Sequence, residues 1–130
     1  MFGSRGISSS AFAYKTKYTL EERQKQSENI IAKHYNYIPI IVECDPSMGV
    51  MKKQKFLVPH NVNCSHISMA IRNQLKLDPS KSIFIFYNDS IICPTENVNV
   101  VYRKYLSQVS DGDKFFYIYV TCENTFGTTF

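Results

Sequence analysis

The segment Tyr37-Ile38-Pro39-Ile40-Ile41-Val42 constrains the fold more than any other part of the chain. It is apolar at consecutive positions and lacks the polar alternation of a half-exposed strand. It therefore reads as a strand covered on both faces. Pro39 has no N–H to donate to a ladder, so it is expected at a sheet edge or a strand start.

The segments around this strand supply the other parts of a sheet-and-helix domain. Thr19-Leu20-Glu21-Glu22 has the spacing of a capping box, in which the threonine hydroxyl and the glutamate satisfy each other's backbone N–H groups. The helix that follows, about 20–35, is polar apart from Leu20, Ile30, Ile31 and Ala32, so its second half is expected to bury the apolar surface. Pro46-Ser47-Met48-Gly49 makes a turn into a second strand, Lys52 to Val58. Its two-residue period puts Lys53, Lys55 and Leu57 on one face, and Lys52, Gln54, Phe56 and Val58 on the other. Asn63 or Ser65 caps a helix with an apolar stripe of Ile67, Ala70, Ile71 and Leu75. Ser82 to Tyr87 is a third strand, closed by a turn at Asn88-Asp89. Val98, Val101, Tyr102 and Leu106 mark a further helix, and Gly112 breaks the chain before a fourth strand, Phe115 to Thr121. This order predicts an α+β fold: a mixed four-stranded sheet in the β-grasp arrangement, with a crossing helix and an added N-terminal helix.

Composition restricts the function classes. The 130 residues suffice for one domain, and 44% apolar with 20% charged residues is globular, not disordered. No apolar run approaches the roughly 18–20 residues that span a bilayer, so membrane contact has to come from a surface or an attached lipid. Residues 1–13, with Ser8-Ser9-Ser10 and two glycines, lack the apolar stretch of a secretory signal and read as a flexible extension. The net charge of +4 is uneven, with six Lys or Arg in residues 1–37 and a second cluster at Lys52, Lys53 and Lys55. Such patches attract anionic lipid, acidic peptide or nucleic acid.

The four cysteines, Cys44, Cys64, Cys93 and Cys122, contain no CxxC pair and read as reduced cytosolic thiols. Cys64 and His66, with His34 and His60 elsewhere, do not make the closed set of about four ligands that zinc needs. A Cys-His hydrolase lacks an orienting third group, and Asp111-Gly112-Asp113 lacks the rest of a calcium loop. No catalytic residue, metal or cofactor is expected.

Three motifs, taken in order and at their spacing, carry a resemblance: Lys52-Lys53-Gln54-Lys55-Phe56-Leu57-Val58-Pro59, then Ile83-Phe84-Ile85-Phe86, then Glu123-Asn124-Thr125-Phe126-Gly127. Together with Ile38-Pro39-Ile40-Ile41-Val42-Glu43 and the preceding helix, they resemble the autophagy ubiquitin-like modifiers, the group that includes GABARAP and microtubule-associated light chain three. The resemblance runs from about Tyr14 to Gly127. It implies a ubiquitin-like core at 14–127 carrying N-terminal helices, and a tail, 128–130, removed by protease.

The resemblance also implies a chemistry. A cysteine protease cuts between Gly127 and Thr128, an E1-like enzyme and an E2-like enzyme activate and carry the glycine, and the glycine is joined to phosphatidylethanolamine. Glycine suits this because a backbone without Cβ passes close to reacting groups in narrow clefts. A peptide groove is carried over residue by residue. Ile30, Pro39, Ile41, Lys55, Leu57 and Phe115 match a first pocket for an aromatic side chain. Phe56, Val58, Pro59, Val62, Ile67 and Ala70 match a second pocket for an aliphatic one three residues later. The implied partners are these enzymes, the lipid membrane, and cargo receptors with aromatic-x-x-aliphatic motifs, with no nucleic acid. The implied location is cytoplasmic, becoming autophagosomal after lipidation.

The chain departs from the family pattern in several places. Gln26 stands for a glutamate, Tyr37 for a basic residue, Ile92-Cys93-Pro94-Thr95 for the usual Pro-Pro-Thr, and Ser107 to Asp113 is a longer loop. The first change implies a stronger preference for acidic residues flanking the peptide. The alternative readings are a non-conjugated adaptor of the same fold, working through its groove or on the cytoskeleton, and a modifier joined to protein.

Overall fold

The computed structural model describes residues 12–123. Helices α1 (Ala13–Lys17) and α2 (Leu20–Lys33) precede the long strand β1 (Tyr37–Cys44). A 3-10 turn at Pro46–Met48 leads to β2 (Lys55–Pro59), then α3 (Ser65–Leu75), β3 (Ser82–Tyr87), β4 (Ser90–Ile91), α4 (Val98–Leu106) and β5 (Phe116–Glu123). The strands form one sheet in the order β2-β1-β5-β3-β4. β1 runs parallel to β5, and the other pairings are antiparallel. This is the expected ubiquitin-like arrangement with N-terminal helices, and it has five strands where four were expected. β4 is only two residues long, opposite Phe86 and Tyr87, and two residues show no alternation in a sequence.

β1 lies inside the sheet and is covered on both faces, as its composition demands: Ile38, Ile40, Ile41 and Val42 are all buried. Pro39 is tolerated there for a reason the sequence hides. Val42 N–H donates to Gln54 C=O and His60 N–H to Asn36 C=O, so the even residues of β1 bond to β2. Pro39 therefore turns its nitrogen toward β5, and that ladder begins only at Ile40. One face of the sheet carries Ile40 beside Phe116, whose ring meets Tyr87, Tyr102 and Tyr105 under α4. The opposite face carries Ile41 beside Tyr117, under α1 and α2.

Several boundaries shift. Phe12, read as part of the extension, is buried against Tyr117 with ring centroids 5.4 Å apart, and Ala13 opens α1. α1 has only five residues, too few to show a period. β2 starts at Lys55 and not at Lys52, because Lys53 N–H turns away to Gln74 Oε1 on α3. Neither Asn63 nor Ser65 caps α3, whose N-cap is Cys64 without a side-chain bond. The Cys64 and Ser65 N–H groups donate instead to the carbonyls of Glu96 and Pro94, which leaves little for a cap to satisfy.

The capping box of α2 is present: Thr19 Oγ1 accepts from Glu22 N–H and Glu22 Oε1 accepts from Thr19 N–H. In α2, Ile30 in the second half packs against the core as the sequence reading expects, but the buried residues are the polar Arg23 and Ser27, which that reading did not single out. Arg23 Nη1 meets Asp113 Oδ2 at 2.6 Å, and Arg23 Nε donates to Tyr18 C=O. Asp113 also accepts from Phe115 N–H and from the Tyr117 hydroxyl. Ser27 Oγ accepts from Lys114 N–H, and the Tyr102 hydroxyl donates to Lys114 C=O. Burial, then the bond to Asp113, pushes the Tyr117 hydroxyl well up, so it remains a donor. Gly112, at φ +82°, packs where an added Cβ would lie 2.8 Å from Gln24 Nε2.

Asp113→Ala leaves a buried guanidinium without its counter-ion and the Phe115 N–H without its acceptor, and should cost about 3–5 kcal/mol in denaturant unfolding. Tyr117→Phe removes one hydrogen bond and should cost about 1 kcal/mol. A loss below 1 kcal/mol for Asp113→Ala would show that the pair does not hold α2 to the sheet.

Candidate peptide-binding edge

β2 is the outermost strand on its side of the sheet. Its even residues bond to β1, so Lys55 and Leu57 direct N–H and C=O away from the sheet. No other strand pairs with that side among the described residues. Pro59, also facing outward, has no N–H to offer and so limits the open edge, while His60 N–H still bonds to Asn36 C=O on the inner side. An edge of this kind accepts an extended chain as an added strand.

The side chains of β2 divide by face as the period requires. Lys55 and Leu57 are exposed on the α2 side, and Val58 is buried with Phe56 half-buried on the α3 side. Of the residues assigned to the first pocket, Pro39, Ile41 and Phe115 are buried between the sheet and the N-terminal helices, Ile30 is half-buried, and Lys55 and Leu57 stay accessible. Lys55 Nζ lies 5.8 Å from the Tyr14 ring centroid and 5.9 Å from that of Phe115. The cleft at this spot holds about 560 Å³ of open space, lined by Ala13, Tyr14, Lys17, Tyr18, Gln54 and Lys55.

Tyr14 and Tyr18 were missed by the sequence reading. Tyr14 lies on the five-residue α1 and Tyr18 just past its end in extended backbone, so no helical period marked them in the sequence. Tyr14 crosses Phe115 edge-on at 5.3 Å, and its hydroxyl bonds to Gln26 Oε1. Burial, with smaller contributions from Tyr18 and Asp113, pushes the Tyr14 hydroxyl up to about 12, so it remains a donor to Gln26 at neutral pH.

Of the second-pocket residues, Phe56, Val58, Ile67 and Ala70 come together with Ile40, Val42 and Ile71 around one wholly apolar pocket that is nearly closed, with free room of about 10 Å³, so an aliphatic side chain has to part these residues to enter. Pro59 lines a separate hollow with Asn36, Tyr37, His60 and Asn61. Val62 packs on the core and does not line the apolar pocket. Gly127 and Thr128 lie outside the described residues. All four cysteines are free, and among the described residues no three of His, Cys, Asp or Glu are grouped to hold a metal ion. No helix among them is long and apolar enough to cross a membrane.

Comparison with known proteins assigns the chain. The family described as "Autophagy protein Atg8 ubiquitin like" matches residues 22–127. Autophagy-related protein 8i of Arabidopsis thaliana is 34% identical over 117 residues, covering 88% of this chain and 98% of that protein. Autophagy-related protein 8 of Schizosaccharomyces pombe is 37% identical over 120 residues, covering 90% and 95%. The crystal structure of Trypanosoma brucei ATG8 superimposes with a TM-score of 0.77 at 27% identity, covering 89% of this chain and 98% of that one. Members of this family are ubiquitin-like modifiers and not enzymes, and lipid attachment and membrane association are known for the family. The chain belongs to the Atg8 ubiquitin-like family of autophagy proteins.

Proposed function

We propose that this Atg8-family modifier is cut after Gly127, joined through that glycine to phosphatidylethanolamine on autophagosomal membranes, and used there to hold cargo receptors along β2. The family match runs through residue 127 and no further, which supports Gly127 as the conjugated terminus. Two acyl chains, at about 0.8 kcal/mol per buried methylene, attach a chain firmly where a single one is marginal.

The observation that carries the receptor reading is the open β2 edge with a different surface on each side. In an extended peptide, side chains an odd number of residues apart point to opposite faces. An aromatic-x-x-aliphatic motif paired with β2 thus sends its aromatic toward Lys55 and Leu57 on the α2 side. Its aliphatic residue goes toward the Phe56, Val58, Ile67 and Ala70 pocket on the α3 side. Lys55 opens β2 and Val58 lies near its end, so this placement runs the peptide in the same sense as β2. Burying about 150–250 Å² of aromatic surface gains roughly 4–6 kcal/mol, from which binding entropy subtracts, leaving about micromolar affinity.

Intact-mass measurement of the protein recovered from starved cells should show loss of Thr128-Thr129-Phe130 and addition of the lipid, and Gly127→Ala should abolish both. Recovery of only the full-length chain would refute processing, and an isopeptide to a protein lysine would favour conjugation to protein.

Calorimetric titration with an aromatic-x-x-Leu peptide should give about micromolar binding, weakened about three- to tenfold by Lys55→Ala or Leu57→Ala. Lys52→Ala, outside β2, should matter less. Equal losses at Lys52 and Lys55 would show that general positive charge, and not a place on the β2 edge, governs binding.

A further inference from the structure

Beyond Pro59 the β2 edge opens into a trough that the aromatic-x-x-aliphatic motif does not use. One part holds about 660 Å³ of open space between Asn36, Tyr37, Pro59, His60 and Asn61. The other holds about 590 Å³ and is walled by Tyr35, Tyr37, His60, Asn99, Tyr102 and Arg103 over an apolar floor that includes Ile31 and Ile38. The two share Tyr37 and His60 and so form one continuous surface.

Its framework is held by backbone bonds: His60 N–H donates to Asn36 C=O, and Tyr37 N–H donates to His34 C=O. The lining supplies a guanidinium, an imidazole, side-chain amides and tyrosine hydroxyls, and it contains no carboxylate. Tyr35 is 75% exposed and Tyr37 41% exposed, so both rings are presented to solvent. Among the described residues, Arg103 makes no ion pair.

The trough lies at the start of β1, and β5, which runs parallel to β1, leaves the sheet at its other end. A chain tethered through its C-terminal residues therefore has this surface at the end away from the tether. That geometry favours a soluble partner over the membrane.

We infer that the trough receives an acidic segment of the receptor peptide, in about six residues after the aliphatic anchor, with carboxylates directed to Arg103 and apolar or aromatic carbon laid on Tyr37. The inference rests on the proposed β2 reading and on its direction, since a peptide running with β2 passes Pro59 and enters the trough. It gives the complex a second, charge-dependent contact, and it makes specificity depend on residues outside the four-residue motif.

The test compares two synthetic peptides by fluorescence anisotropy on the full-length chain. One carries aromatic-x-x-Leu alone, and the other carries the same motif followed by Glu-Glu-Tyr-Glu. The extended peptide should bind about five- to tenfold tighter at low salt, with the advantage shrinking as salt rises. Arg103→Glu should erase that advantage and leave the short peptide unchanged. Asn99→Ala should reduce it in part. Because Arg103 is exposed, Arg103→Glu should fold as the parent does, and thermal unfolding checks this and the half-buried Asn99→Ala.

Equal binding of both peptides would overturn the trough inference while leaving the β2 reading intact. Failure of both peptides to bind would overturn the β2 reading. Arg103-dependent capture of the unlipidated protein by vesicles containing phosphatidylinositol phosphates, with no response to the extended peptide, would assign the trough to a membrane surface and overturn the proposal.

Discussion

The buried pair between Arg23 and Asp113 is the interaction on which the rest of the molecule depends. Charges taken out of water need partners on every side. Here Asp113 is met by the guanidinium, the Phe115 N–H and the Tyr117 hydroxyl, while Tyr18 C=O accepts from Arg23 Nε. This cluster ties α2 to the chain just before β5, and the neighbouring Ser27–Lys114 bond fixes the same approach. The placement of α2 decides what the α2 face of the sheet offers. α1 and Tyr14 lie over Phe115, and Lys55 and Leu57 are left at the rim. A polar dock suits this task, since hydrogen-bond geometry sets the angle and depth of a helix more narrowly than apolar contact does.

The second constraint is that β1 is saturated and β2 is not. β1 bonds to β2 through one set of alternate residues and to β5 through the other, which leaves nothing on it for a partner. β2 bonds on one side only. The outward N–H and C=O groups of Lys55 and Leu57 are the part of the sheet that can still be extended. An exposed edge risks indiscriminate pairing, and this one is short, ends at Pro59 and carries Lys55. Selectivity then has to come from side chains on both faces. In the proposed complex, the odd spacing of an aromatic-x-x-aliphatic motif reads both faces at once. An added strand between two unlike surfaces is a recognition device, in keeping with a family of modifiers.

Much of the fold was legible because its signals are local or periodic. The apolar run of β1, the capping box at Thr19 and Glu22, the stripe of α3 and the third strand at Ser82 to Tyr87 all depend on near neighbours in sequence. What escaped the reading depends on residues far apart. Arg23 and Asp113 are 90 positions apart, and nothing in a polar helix marks which arginine will be buried. The uncapped start of α3 makes sense only once the carbonyls of Pro94 and Glu96 are seen beside it. β4 and α1 are too short to show a period. Of the groove, the two faces of β2 could be read from alternation, whereas the role of Tyr14 beside Lys55 and the position of Pro39 relative to β5 needed the register.

The most direct measurement of the central claim is residue-resolved amide exchange of β2, with and without a saturating aromatic-x-x-Leu peptide. Strand addition makes a specific demand on the backbone. Phe56 and Val58 already donate to β1, so their protection should change little. The amides of Lys55 and Leu57 face outward and should become protected by an order of magnitude or more when the peptide pairs with them. Peptide binding that leaves Lys55 and Leu57 exchanging as before would contradict the account, because the peptide would then be held by side chains elsewhere and the open edge would not be its site.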